Sequence, residues 1–153
     1  MDLILWRHAE AQEPEGDMTD LERSLTRRGE KQAARMAAWL DRQLPEGTRI
    51  LSSSARRTDE TVRALGRRFK SLDELRPGAS AQQLLQLAGW PVGKAPVLIV
   101  GHQPTLGQVA AQLLGLQDGE CPIKKGAIWW LRSRERDGEA QTVVVAVLTA
   151  ELT

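Results

Sequence analysis

The sequence predicts an α/β fold: a three-layer sandwich with a mostly parallel central sheet flanked by helices, and one antiparallel strand near the C-terminus. Three observations point to it. Short, nearly unbroken apolar runs recur at residues 3–6, 97–100 and 143–148, which suits strands buried on both faces. Between these runs the apolar spacing changes to three and four, the period of a helix packed on one side. Near the C-terminus an Asp137-Gly138 turn separates two apolar segments, which predicts a hairpin and hence one reversed strand.

In chain order, the run ending at Trp6 is the first strand. The segment 9–24 fits neither period and holds Pro14, Gly16 and several acids, so it reads as a surface loop. Ala33, Met36, Ala37, Leu40 and Leu44 share one helix face. Ile50 and Leu51 mark a short strand before Ser52, and Thr61, Val62, Leu65 and Phe69 mark the helix after it. Leu84, Leu85 and Ala88 suggest a shorter helix after Ser80. The run 97–100 leads into a helix carrying Leu106, Val109, Ala110, Leu113 and Leu114, with Pro104 in its first turn and Gly115 just past its end. Residues 127–131 and 143–148 form the hairpin. Trp129 and Trp130, adjacent on a strand, must point to opposite faces. Core packing on both sides is expected, with exposure of one at a partner surface as the alternative.

With 153 residues, 41% of them hydrophobic, the chain suits one compact domain spanning 1–153. A formal net charge of +1 argues against nucleic acid as a partner. The single cysteine, Cys121, allows neither an internal disulfide nor a Cys-rich zinc site. No basic leader or long apolar segment is present, so no membrane association and a cytoplasmic location are expected. The oligomeric state is left open.

The chain has two histidines, and they share a context: His8 follows the run 3–6, and His102 follows the run 97–100. In an open parallel α/β sheet, ligands bind beyond the carboxyl ends of the strands. Two strands ending there would bring the imidazoles together. Arg7 precedes His8, and Arg57 is expected one helical turn beyond the strand near Ile50. A guanidinium presents a fork of donors that matches phosphate oxygens. Arg56 can pair with Glu60 and Asp59 with Arg63 at i,i+4, which leaves Arg57 without an obvious partner. Arg57 is therefore the functional candidate. Lys124 and Lys125 would extend such a site toward a polyanion, or simply solvate a turn.

These residues fall into motifs. Leu5-Trp6-Arg7-His8-Ala9-Glu10 resembles the Arg-His-Gly signature of the histidine phosphatase (phosphoglycerate mutase-like) superfamily. The block from Ser52 to Thr61 resembles its second motif, an Arg followed four residues later by Thr, here Arg57 and Thr61. Gly101-His102 resembles the block with the second His, and the stretch from Leu25 to Gly29 the Leu-Thr-x-x-Gly that opens the first helix. The short length and the Arg-His-Ala form are most similar to the SixA branch, the phosphohistidine phosphatases. Ala9 stands where most of the superfamily has Gly, and Ser54 where many members have Pro. The Gly-x-x-Glu-Gly stretch that supplies a proton donor in mutases and sugar phosphatases is absent from the corresponding region, 74–80.

The resemblance implies a covalent, metal-independent and cofactor-free route. His8 is the nucleophile, while Arg7, Arg57 and His102 hold the phosphoryl oxygens. His8 must be neutral to attack; His102 works best protonated, a form that bound phosphate would favour. The implied substrate is phosphohistidine on a protein partner. A small phosphoester or polyphosphate phosphatase is the alternative, and a non-catalytic module that binds phosphorylated proteins is a third reading. The acids of the loop, Glu13, Glu15, Asp17 and Asp20, are expected to be solvated, with a proton donor supplied by one of them or by Glu74 as the alternative.

Overall fold

The computed structural model describes residues 1–153 and contains six strands and four α-helices. In chain order these are β1 (Asp2–Arg7), α1 (Arg27–Gln43), β2 (Arg49–Ser53), α2 (Arg56–Arg63), β3 (Lys70–Leu72), α3 (Ala81–Ala88), β4 (Val97–Gly101), α4 (Thr105–Leu114), β5 (Ile128–Arg136) and β6 (Glu139–Leu148). The sheet order is β3-β2-β4-β1-β5-β6. Strands β3, β2, β4 and β1 pair in parallel, and β5 runs antiparallel to both β1 and β6. The predicted α/β class, with a reversed strand near the C-terminus, is what the chain forms.

The alternation of side chains along each strand divides the core into two layers. Leu3, Leu5, Val97 and Ile99 face α3 and α4, meeting Leu84, Leu106 and Val109. Ile4, Trp6, Leu98 and Val100 face α1 and α2, meeting Met36, Leu40 and Val62. Both faces are covered, so β1 and β4 read as unbroken apolar runs. The helix ends carry local reasons. Thr26 caps α1 by accepting from Gly29 N at 2.9 Å, and Ser80 caps α3 by accepting from Gln83 N at 3.0 Å.

Several expectations need correction. The run 143–148 is not buried on both faces. It lies in the edge strand β6, where Val144, Val145 and Val147 are exposed, because β5 covers only one side of it. The helix expected to reach Phe69 ends at Arg63, and Gly66 turns the chain with φ +68°. Phe69 instead precedes the short edge strand β3 and lies under the Arg63 guanidinium. Trp129 and Trp130 do take opposite faces. Trp130 is buried edge-on against Trp39, with Nε1 donating to Asp2, while half-buried Trp129 packs on the α3/α4 layer.

Candidate active site

The site forms where β1, β4 and β2 end. The parallel register sets Arg7 beside Gly101, and His8 N donates to the Gly101 carbonyl at 3.1 Å. His8 and His102 thereby leave adjacent strands side by side, with ring centroids 5.3 Å apart. Both rings are buried. Ser53, the last residue of β2, reaches His102 across the strand ends at 2.8 Å.

His8 Nδ1 lies 2.7 Å from the Ala9 carbonyl. A carbonyl only accepts, so Nδ1 carries the ring proton and Nε2 holds the free lone pair. Burial is the main reason that the His8 pKa drops to about 3. The Arg57, Arg7 and Arg23 charges add to the shift, and the Ala9 hydrogen bond opposes it. His8 is therefore a neutral imidazole at ordinary pH. His102 is pushed down to about 3 as well, first by burial and then by His8 and Arg57. The site as it stands thus holds His102 neutral, not in the charged form expected to work best once phosphate is bound.

Arg7 Nη1 donates to the Ile123 carbonyl at 2.7 Å. Arg57 is the second residue of α2, four residues past the end of β2, as expected. It is not unpartnered, however: Nη1 donates to the Asp20 carbonyl at 2.7 Å and Nη2 to Asp20 Oδ2 at 3.0 Å. The expectation failed because Asp20 lies 37 residues earlier, in the loop read as solvated. That loop is tied down: Arg23 bonds the other Asp20 oxygen and the Gln12 carbonyl. Burial would raise the Asp20 carboxyl, but hydrogen bonds from Arg23 and Arg57 outweigh it and hold the pKa below the usual carboxylate value. Arg56, as expected, pairs with Glu60 on the exposed face of α2.

Three buried side-chain nitrogens in the whole chain lack a hydrogen-bond partner: Arg7 Nε, Arg57 Nε and His102 Nδ1. Orphaned buried donors are costly and rare. All three belong to residues that the sequence marks as candidate phosphate ligands. No group of three or more His, Cys, Asp or Glu is arranged to hold a metal ion.

The second motif has a structural role too. Thr61 Oγ1 accepts from Ala9 N at 3.1 Å and donates to the Arg57 carbonyl at 2.7 Å, tying the first motif to the second. Gly29 leaves room for the Glu10 carbonyl, which a Cβ at that position would strike. Lys124 is paired with Glu151 at 2.9 Å. With Lys125 it lines a polar groove that also carries Glu10 and Glu13, so carboxylates face any polyanion there.

The sequence profile of the histidine phosphatase superfamily (branch 1) matches residues 3–80. An uncharacterised Mycobacterium tuberculosis protein, Rv1276c, is 27% identical over 122 residues, covering 76% of this chain and 75% of its own. Among solved structures, one from Agrobacterium tumefaciens, described as a phosphohistidine phosphatase SixA, superposes with a TM-score of 0.82 at 23% identity over 97% of both chains. The protein histidine phosphatase SixA complexed with tungstate gives 0.77 at 24% identity over 100% of both. A mycobacterial glucosyl-3-phosphoglycerate phosphatase, Rv2419c, gives 0.70 at 18% identity, covering 95% of this chain and 97% of its own. At these identities the structural likenesses are likenesses of fold.

Proposed function

The chain belongs to the histidine phosphatase superfamily, and from that premise we propose that it is a phosphatase acting through a phosphohistidine intermediate on His8. The observation that carries this reading is the neutral, buried His8 with Nε2 free, set among three nitrogens that have no partner within the protein. In the proposed route His8 Nε2 attacks phosphorus in line, and the bond to the leaving group breaks. Arg7, Arg57 and His102 bind the phosphoryl oxygens and offset their charge as the transition state forms. Water then cleaves the phosphohistidine and releases phosphate. The residues supply the charge themselves, so the route calls for neither metal nor cofactor.

The substrate proposed is phosphohistidine on a protein partner. An alkoxide leaving group needs a positioned acid, which contributes roughly 10²–10⁴-fold. Asp20 is the carboxyl group bonded to Arg57, and its lowered pKa keeps it ionised, unable to donate. A leaving imidazole makes less demand, because its second ring nitrogen can take a proton first and the ring then leaves neutral. The SixA likenesses favour the same class. Rv2419c, a small-ester phosphatase of the same fold, supports the second reading. The cytoplasmic location expected from the sequence belongs to this proposal.

The deciding measurement compares kcat/KM on a phosphohistidine protein and on a sugar phosphate under one set of conditions. The phosphohistidine protein is expected to win by a wide margin; a faster sugar phosphate would replace the proposed substrate with a small ester. His8→Ala should abolish turnover on both, and the trapped phosphoenzyme should be acid-labile and alkali-stable.

A further inference from the structure

Ser53 was chosen neither by motif nor by spacing, yet it touches the ring of His102. It is fully buried at the end of β2. Its Oγ accepts from Ala55 N at 3.2 Å and lies 2.8 Å from His102 Nε2. No other side-chain or backbone group bonds to this hydroxyl. The other ring nitrogen, Nδ1, is buried and unpartnered.

A neutral imidazole has one N–H, and two arrangements are open to it. With the proton on Nε2, the ring donates to Ser53 Oγ. The hydroxyl then accepts twice, and its own hydrogen has no acceptor in a buried place. Nδ1 meanwhile keeps an unmatched lone pair in a buried place. With the proton on Nδ1, every group around Oγ is matched and only Nδ1–H is left over. Ala55 N–H donates to Oγ, the Ser53 hydroxyl donates to Nε2, and Nδ1–H is left as a donor. The first arrangement leaves two buried groups unmet, the hydroxyl hydrogen and the Nδ1 lone pair; the second leaves one, and that difference decides between them.

We infer that Ser53 is a positioning residue that holds neutral His102 as its Nδ1–H tautomer, so that an uncharged ring donates to the phosphoryl oxygens. The inference rests on the phosphatase reading for its functional consequence, but not for the tautomer itself. It explains how His102 serves an anion although its surroundings keep it uncharged. A free histidine side chain favours the Nε2–H form, so the hydroxyl reverses the ring's own preference. Thr61 plays no such part: its hydroxyl is spent on the Arg57 carbonyl and Ala9 N.

The test is long-range ¹H–¹⁵N NMR on histidine-labelled protein, with the two rings distinguished through a His8→Gln variant. In the wild type, His102 should show a protonated Nδ1 and an unprotonated Nε2. Ser53→Ala should move the ring toward Nε2–H and lower kcat/KM on the phosphohistidine protein by about tenfold or more. It should also weaken inhibition by inorganic tungstate. Ser53→Thr, which keeps the hydroxyl, should restore the tautomer and most of the activity. A wild-type ring found as Nε2–H or charged overturns the inference directly, whether or not Ser53→Ala folds. An unchanged tautomer in Ser53→Ala overturns it as well. Wild-type protein that turns over no phospho-substrate yet shows Nδ1–H would sink the phosphatase reading and leave the tautomer assignment standing.

Discussion

Burying two neutral histidines makes the stability of this protein depend on pH. Both pKa values fall from 6.5 to about 3 in the folded chain. The sign follows from linkage: below 6.5 the unfolded chain takes up protons that the folded chain refuses, so stability falls as pH falls. The loss per ring is about 1.4 kcal/mol per pH unit, running from about pH 6.5 down to about pH 3. At about pH 5, some 1.5 units into the window, each ring contributes a loss of about 2 kcal/mol and the pair about 4 kcal/mol. That is a large share of a typical total of about 5–15 kcal/mol. The lowered Asp2 and Asp20 add losses only further down, below their ordinary value of 3.8. The assay is urea unfolding at about pH 8 and about pH 5, in phosphate-free buffer because a bound anion would favour the charged rings. Wild type should lose about 4 kcal/mol more across this interval than a His8→Asn/His102→Asn double variant. The ring proton shifts in NMR should stay flat over the same range. Equal pH dependence in the two proteins, or rings that titrate near 6.5, would refute the claim that burial holds them neutral.

Arg57→Ala should lower kcat by roughly 10²–10³-fold, as expected for loss of one transition-state donor. Arg56→Ala should change it little, since its exposed pair with Glu60 is worth about 0.3–0.5 kcal/mol. Similar severe losses in both variants would mean that the pocket uses both arginines. Gly29→Ala should destabilise the fold by about 1–3 kcal/mol although alanine favours helices, because its methyl would strike the Glu10 carbonyl; the thermal midpoint reports this. Excess EDTA should leave turnover unchanged, and activity lost to chelator and restored by a divalent ion would show that the histidine pair serves a metal.

Much of the fold was legible because its signals are local. Parallel strands covered on both faces must be apolar throughout, so the runs that became β1 and β4 stood out with their following histidines. The apolar run in β6 shows the limit of that signal: Val144, Val145 and Val147 have the same composition but lie on an edge strand and are exposed. Composition reports β-propensity and not which neighbour a strand receives. The short β3 escaped notice because Lys70, Ser71 and Leu72 form neither an apolar run nor a clear alternation.

The sequence by itself determined the two histidines at strand exits, Arg7 beside the first of them, and the pairing of Arg56 with Glu60 on the outer face of α2. Each of these is set by spacing within one element, where geometry is fixed by the strand or helix period. Tertiary structure alone decided who meets whom across elements. Asp20 reaches Arg57 over 37 residues, and Ser53 reaches His102 over 49. It also decided the charge state of both rings, because desolvation depends on everything packed around a group and not on its neighbours in the chain. A loop that looks solvated in sequence therefore orders the arginine of the candidate site, and a serine at the end of a strand chooses which nitrogen of a histidine holds its proton.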